Sequence, residues 1–157
     1  MSFLRLFHWL SHTWVGVLMR DSTWGFAIVE MCHLLALAML GGTVLVLNFR
    51  LVGLGLRRQS VSRIAEELLP WFTGSLVMMV LSGFLLLASG PMRYYYNEAF
   101  RLKMLLTLPA IIFQFILLRL AGAQAEDRTP AWSRLSAVVS LGLWLSVGIA
   151  GRAIGFI

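Results

Sequence analysis

Four long apolar stretches dominate this chain, each able to cross the roughly 30 Å hydrocarbon core of a bilayer. The first runs from about Trp24 to Phe49, the second from Leu68 to Ala88, the third from Ala99 to Ala121 and the fourth from Trp132 to Phe156. The connections Arg50–Glu67, Ser89–Glu98 and Gly122–Ala131 are short. Short connections make successive spanning helices antiparallel neighbours, so the economical fold is an all-α, antiparallel four-helix transmembrane bundle. The 157 residues make one membrane domain. Composition agrees: 59% of the residues are hydrophobic and 13% charged, against about a quarter charged in a soluble domain. Disordered chains are charge-rich and poor in aromatics, so disorder is excluded. The net charge of +6 does not point to nucleic acid, because the basic residues sit at segment ends and form no stripe.

Residues 1–20 read differently. Arg5, His8, His12, Gly16 and Arg20 recur at steps of three and four, while Leu6, Phe7, Trp9, Leu10, Trp14, Val17 and Leu18 fill most of the rest of the wheel. This predicts one amphipathic helix in the membrane interface, in contact with lipid headgroups. Polar residues interrupt any signal-peptide core, so the segment is expected to be retained. Asp21 and Ser22 are candidate caps for the helix that follows. The single cysteine, Cys32, excludes an internal disulfide.

Arg50, Arg57, Arg58, Arg63, Arg119, Arg128 and Arg134 fall on one side of the membrane, and Arg5, Arg20, Arg93, Arg101, Lys103 and Arg152 on the other. The Arg57–Arg58 cluster next to a helix end weighs most in the positive-inside bias, which puts both termini outside the cytoplasm.

Ionisable groups inside a bilayer are costly and mark functional sites by default. His33 lies about nine residues into the first span, some 13 Å deep by helical rise. Glu30 precedes it by one turn on the same face. Lys103 enters the third span from the same membrane side, Arg152 closes the fourth span on that side, and Asn97, Arg101 and Tyr94–Tyr96 stand at the rim. Each has a plainer reading. Lys103, Arg101 and Arg152 can snorkel to the headgroups, Glu30 can pair structurally, His8 and His12 can be interfacial polar-face residues, and the tyrosines can form an aromatic belt.

An intramembrane histidine with cationic neighbours suits a b-type haem. His33 would supply the axial nitrogen, with His8 or His12 as a possible second ligand, and Lys103, Arg101 and Arg152 would pair with propionates or a quinone. Glu30 would tune His33 or carry protons. Gly41, Gly42, Ser82 and Gly83 are small enough for close approach of helices or of a flat macrocycle. Copper is the alternative, since Met31, Cys32 and His33 offer soft donors, although consecutive residues point in different directions on a helix. The eight methionines are otherwise packing residues. Glu30-x-x-His33 is half of a di-iron carboxylate pattern, and only a homo-oligomer would complete it. There is no HExxH, P-loop or GxSxG.

Glu30-Met-Cys-His33, Gly41-Gly42, Asn48-Phe-Arg50-Leu-Val-Gly53, Gly83 and Asn97-x-x-Phe100-x-x-Lys103 together resemble a family of uncharacterised four-helix bacterial membrane proteins. In that pattern the first helix usually ends in Asp-x-Arg-Leu-x-Gly; Asn48 stands here at the acidic position. The skeleton is more remotely similar to the HemJ protoporphyrinogen oxidases and to the copper-resistance protein D membrane domain. The HemJ resemblance implies haem-linked roles for His33 and Lys103, with Arg50 matching the arginine that ends the histidine-bearing helix. It covers roughly residues 30–103. The expectation is a haem b-binding redox protein of the bacterial inner membrane that passes electrons within the bilayer or to a partner subunit. A copper-handling transport or chaperone protein and a cofactor-free structural subunit are the alternatives.

Overall fold

The computed structural model describes residues 3–55, 58–123 and 131–156; Arg57, Asp127 and Arg128 lie outside them. Among the described residues seven helices follow in order: α1 Phe3–Ser11, α2 Trp14–Asp21, α3 Thr23–Val52, α4 Val61–Ser89, α5 Pro91–Tyr96, α6 Glu98–Gly122 and α7 Ala131–Ala153. The chain is a multi-pass membrane protein. Helices α3, α4, α6 and α7 have the length and hydropathy to span a bilayer and pack as a ring in which α3 meets α4 and α7, and α6 meets the same two. The expected four-helix bundle is the observed fold.

Three local readings need correction. The segment expected to be one amphipathic helix over residues 1–20 is instead two, Phe3–Ser11 and Trp14–Asp21. The break falls at His12–Thr13, where the Thr13 hydroxyl donates to the Leu10 carbonyl at 2.7 Å and accepts from Gly16 N–H, closing α1 and capping α2 at once. Ser22 is the N-cap of α3, accepting from Gly25 N–H at 3.0 Å, whereas Asp21 ends α2. Helix α4 starts at Val61, seven residues before the apolar run. Its first turns are polar, capped by Ser60 and braced by an Arg63–Glu67 pair at 2.9 Å, so hydropathy marked the membrane-depth part and missed the helical extension. A short helix, α5, occupies most of the Ser89–Glu98 connection, with Pro91 in its first turn, a position that uses proline's missing N–H without loss.

The large buried residues gather at one end. Leu40, Val44, Leu47 and Leu51 of α3 pack with Val61, Ala65 and Phe72 of α4, Leu117, Leu118 and Ala121 of α6, and Ala137 of α7. All lie toward the α3–α4 connection. There Gly53 adopts φ 92°, and the N–H groups of Gly53 and Leu54 close on the Phe49 carbonyl, a left-handed helix stop that glycine takes without strain. At the opposite end most of the buried residues are small, Ala36, Ser82, Ala88, Ala99 and Ala150 among them, with Leu10 and Val147 the larger exceptions. Helices α1 and α2 cap that end, with α2 lying on α4 and α1 on α5.

Candidate functional site

His33 lies ten residues into α3, about 15 Å from its start by helical rise, half-buried and facing α4. Its Nδ1 is 2.9 Å from Ser82 Oγ. A serine hydroxyl has one proton to give, and Ser82 gives it to the Met78 carbonyl of its own helix at 2.6 Å. With the hydroxyl proton so placed, Ser82 Oγ is the acceptor for His33 Nδ1–H, the tautomer in which Nε2 carries the lone pair. Gly83 makes room for the ring: a Cβ there would stand 3.3 Å from His33 Cε1. Gly41 and Gly42 face no neighbour within 4 Å of an added Cβ, so of the four small residues it is Ser82 and Gly83 that frame the histidine.

Lys103, from the second turn of α6, is half-buried. Its chain lies across Gly151 of α7, whose added Cβ would be 3.7 Å from Cδ and Cε and 3.8 Å from Nζ. Among the described residues no hydrogen bond or ion pair engages Nζ. Glu30 is exposed on α3 and forms no ion pair with Lys103.

The remaining predicted residues stand elsewhere. Arg101 is exposed; it donates to the Tyr95 carbonyl at 3.2 Å and lies over the Tyr95 ring at 5.3 Å. Arg152, also exposed, lies over Phe156 at 4.9 Å. Both are rim cations engaged locally, as snorkelling predicts. His8 and His12 are exposed, with ring centroids 4.9 Å apart and planes tilted by 46°; they meet each other at the surface and make no contact with His33. Arg50 is buried and donates through Nε and Nη2 to the Gln59 carbonyl at 3.1 and 3.0 Å. It stands seventeen residues beyond His33, about 25 Å along α3, and binds the α3–α4 connection together. The tyrosine run does more than form a belt: Tyr95 meets Phe7 of α1 edge-on at 5.4 Å, and Tyr94 meets Phe100 at 5.3 Å. Asn97 caps α6 through Phe100 N–H at 2.9 Å and donates to the Ile154 carbonyl, fastening α6 to the end of α7.

A second polar group joins residues that the sequence leaves on separate helices. Asn48 of α3 donates through Nδ2 to Gln114 Oε1 of α6 and to Ser140 Oγ of α7, both at 3.2 Å, and Ser140 donates to the same Gln114 oxygen. All three are fully buried. The signal lay in a polar residue inside each of three apolar spans; their mutual contact depends on helix rotation, which hydropathy does not specify. A groove of about 390 Å³ also runs along the α3–α4 seam, with Cys32, Met39 and Met78 among its lining residues. Among the described residues no three of His, Cys, Asp and Glu converge on a common point.

Two features follow for chemistry. One histidine offers a free nitrogen, which suits a group that needs a single protein nitrogen better than a bare ion that needs three or four protein donors. One lysine, with no protein counter-ion among the described residues, is available to an anion beside it.

No curated protein and no solved structure matches the chain. A family model described as a family of unknown function, DUF6644, matches residues 6–157, nearly the whole length and all four spans, and the chain belongs to that family.

Proposed function

We propose that this chain is a haem b-binding redox subunit of the bacterial inner membrane, with both termini on the periplasmic side. The observation that carries the reading is the anchoring of His33 Nδ1 by Ser82, which leaves Nε2 as a ligand nitrogen in a defined orientation. Ligating histidines are typically held through their other ring nitrogen in this way. The donor set fits a haem: His33 Nε2 would hold the iron, Gly83 keeps a side chain away from the imidazole edge, and Lys103 is a cation for a propionate. When bound, the haem supplies one-electron redox chemistry. Glu30, one turn nearer the surface, is suited to exchange protons with the headgroup region. A partner subunit or a quinone would be the electron donor or acceptor. The order of His33 and Lys103 along the chain, similar to the HemJ pattern, supports the same reading.

A second reading rests on the α3–α4 groove. Cys32, Met39 and Met78 present a thiol and two thioethers to one space, donors that favour copper(I), and a resemblance to the copper-resistance membrane domain agrees with this.

The absorption spectrum of protein purified after expression with ample haem separates the two. The haem reading predicts a Soret band and a reduced b-type spectrum. Ser82→Ala should bind haem about 10- to 100-fold more weakly, the usual cost of losing the partner of a ligating histidine. Colourless protein carrying stoichiometric copper overturns haem in favour of the groove. Colourless protein without metal removes both and leaves a structural subunit.

A further inference from the structure

The α3–α4 seam holds a further feature above the His33–Ser82 contact. Two turns toward the membrane surface, about 10 Å by helical rise, Phe26 of α3 and Ser89 of α4 stand seven residues from His33 and Ser82 respectively. Here α2 crosses the end of α4 at close range: a Cβ on Gly16 would come within 2.8 Å of the Leu10 carbonyl and 3.0 Å of the Ala88 carbonyl. The crossing leaves an open cleft of about 300 Å³ lined by Met19, Arg20, Ser22, Thr23, Phe26 and Ser89. That volume is at the small end of the range for ligand pockets.

The polar groups of this cleft are donors in excess. Arg20 carries five N–H donors, and one bond, from Nη2 to the Ser11 carbonyl, engages it among the described residues. Ser22 Oγ accepts from Gly25 N–H, so its own proton is free to be given. The Thr23 hydroxyl has no bond among the described residues. The carbonyls nearby at the end of α4 are already committed, Leu86 to the Ser89 hydroxyl at 2.7 Å and Leu87 to Gly90 N–H. Among the described residues no carboxylate lines the cleft; Asp21 is exposed beside it and outside the lining. Met19 and Phe26 add an apolar wall. The cleft lies where α3 begins its span, which is the depth of lipid headgroups.

We propose that this cleft binds the phosphate of an anionic phospholipid. Arg20 and the Ser22 and Thr23 hydroxyls donate to the phosphate oxygens, a charge-assisted set, while Met19 and Phe26 pack on the glycerol and the start of an acyl chain. The bound headgroup then bridges α2, α3 and α4 and fastens the N-terminal helices over the His33 end. The proposal does not depend on haem.

Native mass spectrometry of the full-length protein, delipidated in detergent, provides the test. With phosphatidylglycerol and phosphatidylcholine supplied in equal amounts, wild type should retain the anionic lipid at several-fold higher occupancy. Arg20→Ala and Thr23→Val should each reduce that preference several-fold. Thr23→Val matters most, since it leaves the Arg20–Ser11 link in place and so separates lipid binding from loosening of α1. Arg5→Ala, an equal loss of charge outside the cleft, should retain the preference. Equal occupancy by the two lipids in wild type, or equal losses in Arg5→Ala and Thr23→Val, overturns the site. Displacement of phosphatidylglycerol by millimolar inorganic phosphate overturns the lipid assignment in favour of a free phosphate.

Discussion

At the end where α3 runs into α4, the buried positions include Leu47, Leu51, Val61, Phe72, Leu117 and Leu118; at the end where α4 turns toward α6, they are mostly small, Ala36, Ser82, Ala88, Ala99 and Ala150, with Leu10 and Val147 the larger exceptions. The polar groups differ in the same way. At the first end, Asn48, Gln114 and Ser140 are neutral, fully buried and bonded to one another. At the second, His33 and Lys103 are half-buried and keep bonding capacity that their neighbours do not use. Interhelical contact in lipid comes from close packing and hydrogen bonds, since burial from lipid gains no hydrophobic term. The first end has close packing and a hydrogen-bonded set across three helices, although Asn48 Oδ1 and Gln114 Nε2 are buried there without a partner among the described residues. The second relies on small residues that let backbones approach, and its Lys103 ammonium has no bond among the described residues. Under the proposed function, strength and reactivity are separated along the bundle axis.

The largest expected effect is at His33. Under the haem reading, His33→Ala should insert and fold normally, since alanine is the best helix former, yet lose most of the Soret absorbance. His8→Ala and His12→Ala should retain it, because those rings meet each other at the surface. Retained absorbance in His33→Ala would move the ligand elsewhere and erase the contrast between the two ends.

Phe72 provides the reciprocal test at the sealed end. It is fully buried in the leucine cluster, and truncating a buried phenylalanine costs about 3–5 kcal/mol. Phe72→Ala should lower the Tm in detergent markedly while the protein that remains folded keeps its full cofactor content. A variant that lost cofactor and stability in parallel would show that the two ends act as one unit.

Lys103 should give an intermediate effect. Lys103→Met removes the unpaired cation while keeping the chain that lies over Gly151. It should lower cofactor retention several-fold with little change in Tm; Lys103→Arg should be milder. Unchanged retention in Lys103→Met would return the residue to snorkelling.

The sequence carried some of this and not the rest. Four apolar runs gave the spans and the bundle, and ionisable residues at membrane depth gave His33 and Lys103, because both signals are local. Ser82 was visible as a small residue, but its role as acceptor to His33 depends on how α4 is rotated against α3. Arg50 was matched by resemblance to a cofactor role, yet its guanidinium is bound to the connection about 25 Å along the same helix. The break after His12 was hidden because the wheel of residues 1–20 is amphipathic throughout; a single threonine side chain that closes one helix and opens the next leaves no trace in periodicity.

The smallest expected effect is at Ser140, and its size decides how the sealed end works. Ser140→Ala removes a donor to Gln114 Oε1 and an acceptor for Asn48 Nδ2. Neither partner is abandoned: Gln114 Oε1 keeps Asn48 Nδ2, and Asn48 Nδ2 keeps the Val44 carbonyl at 2.8 Å. The loss should therefore approach the average for an interhelical hydrogen bond in a membrane protein, about 0.6 kcal/mol, and stay below about 1.7 kcal/mol. Unfolding in mixed micelles would measure it, with cofactor content unchanged. Gln114→Leu removes the common acceptor of both partners, leaving Ser140 without its bond to α6 and Asn48 tied only to its own helix and Ser140, so it should cost more than Ser140→Ala. If the two variants cost the same, the three side chains act as a single cooperative lock that fails when any one member is lost. If Gln114→Leu costs clearly more, the glutamine is the hub, and α3 and α7 are fastened to α6 through its one oxygen.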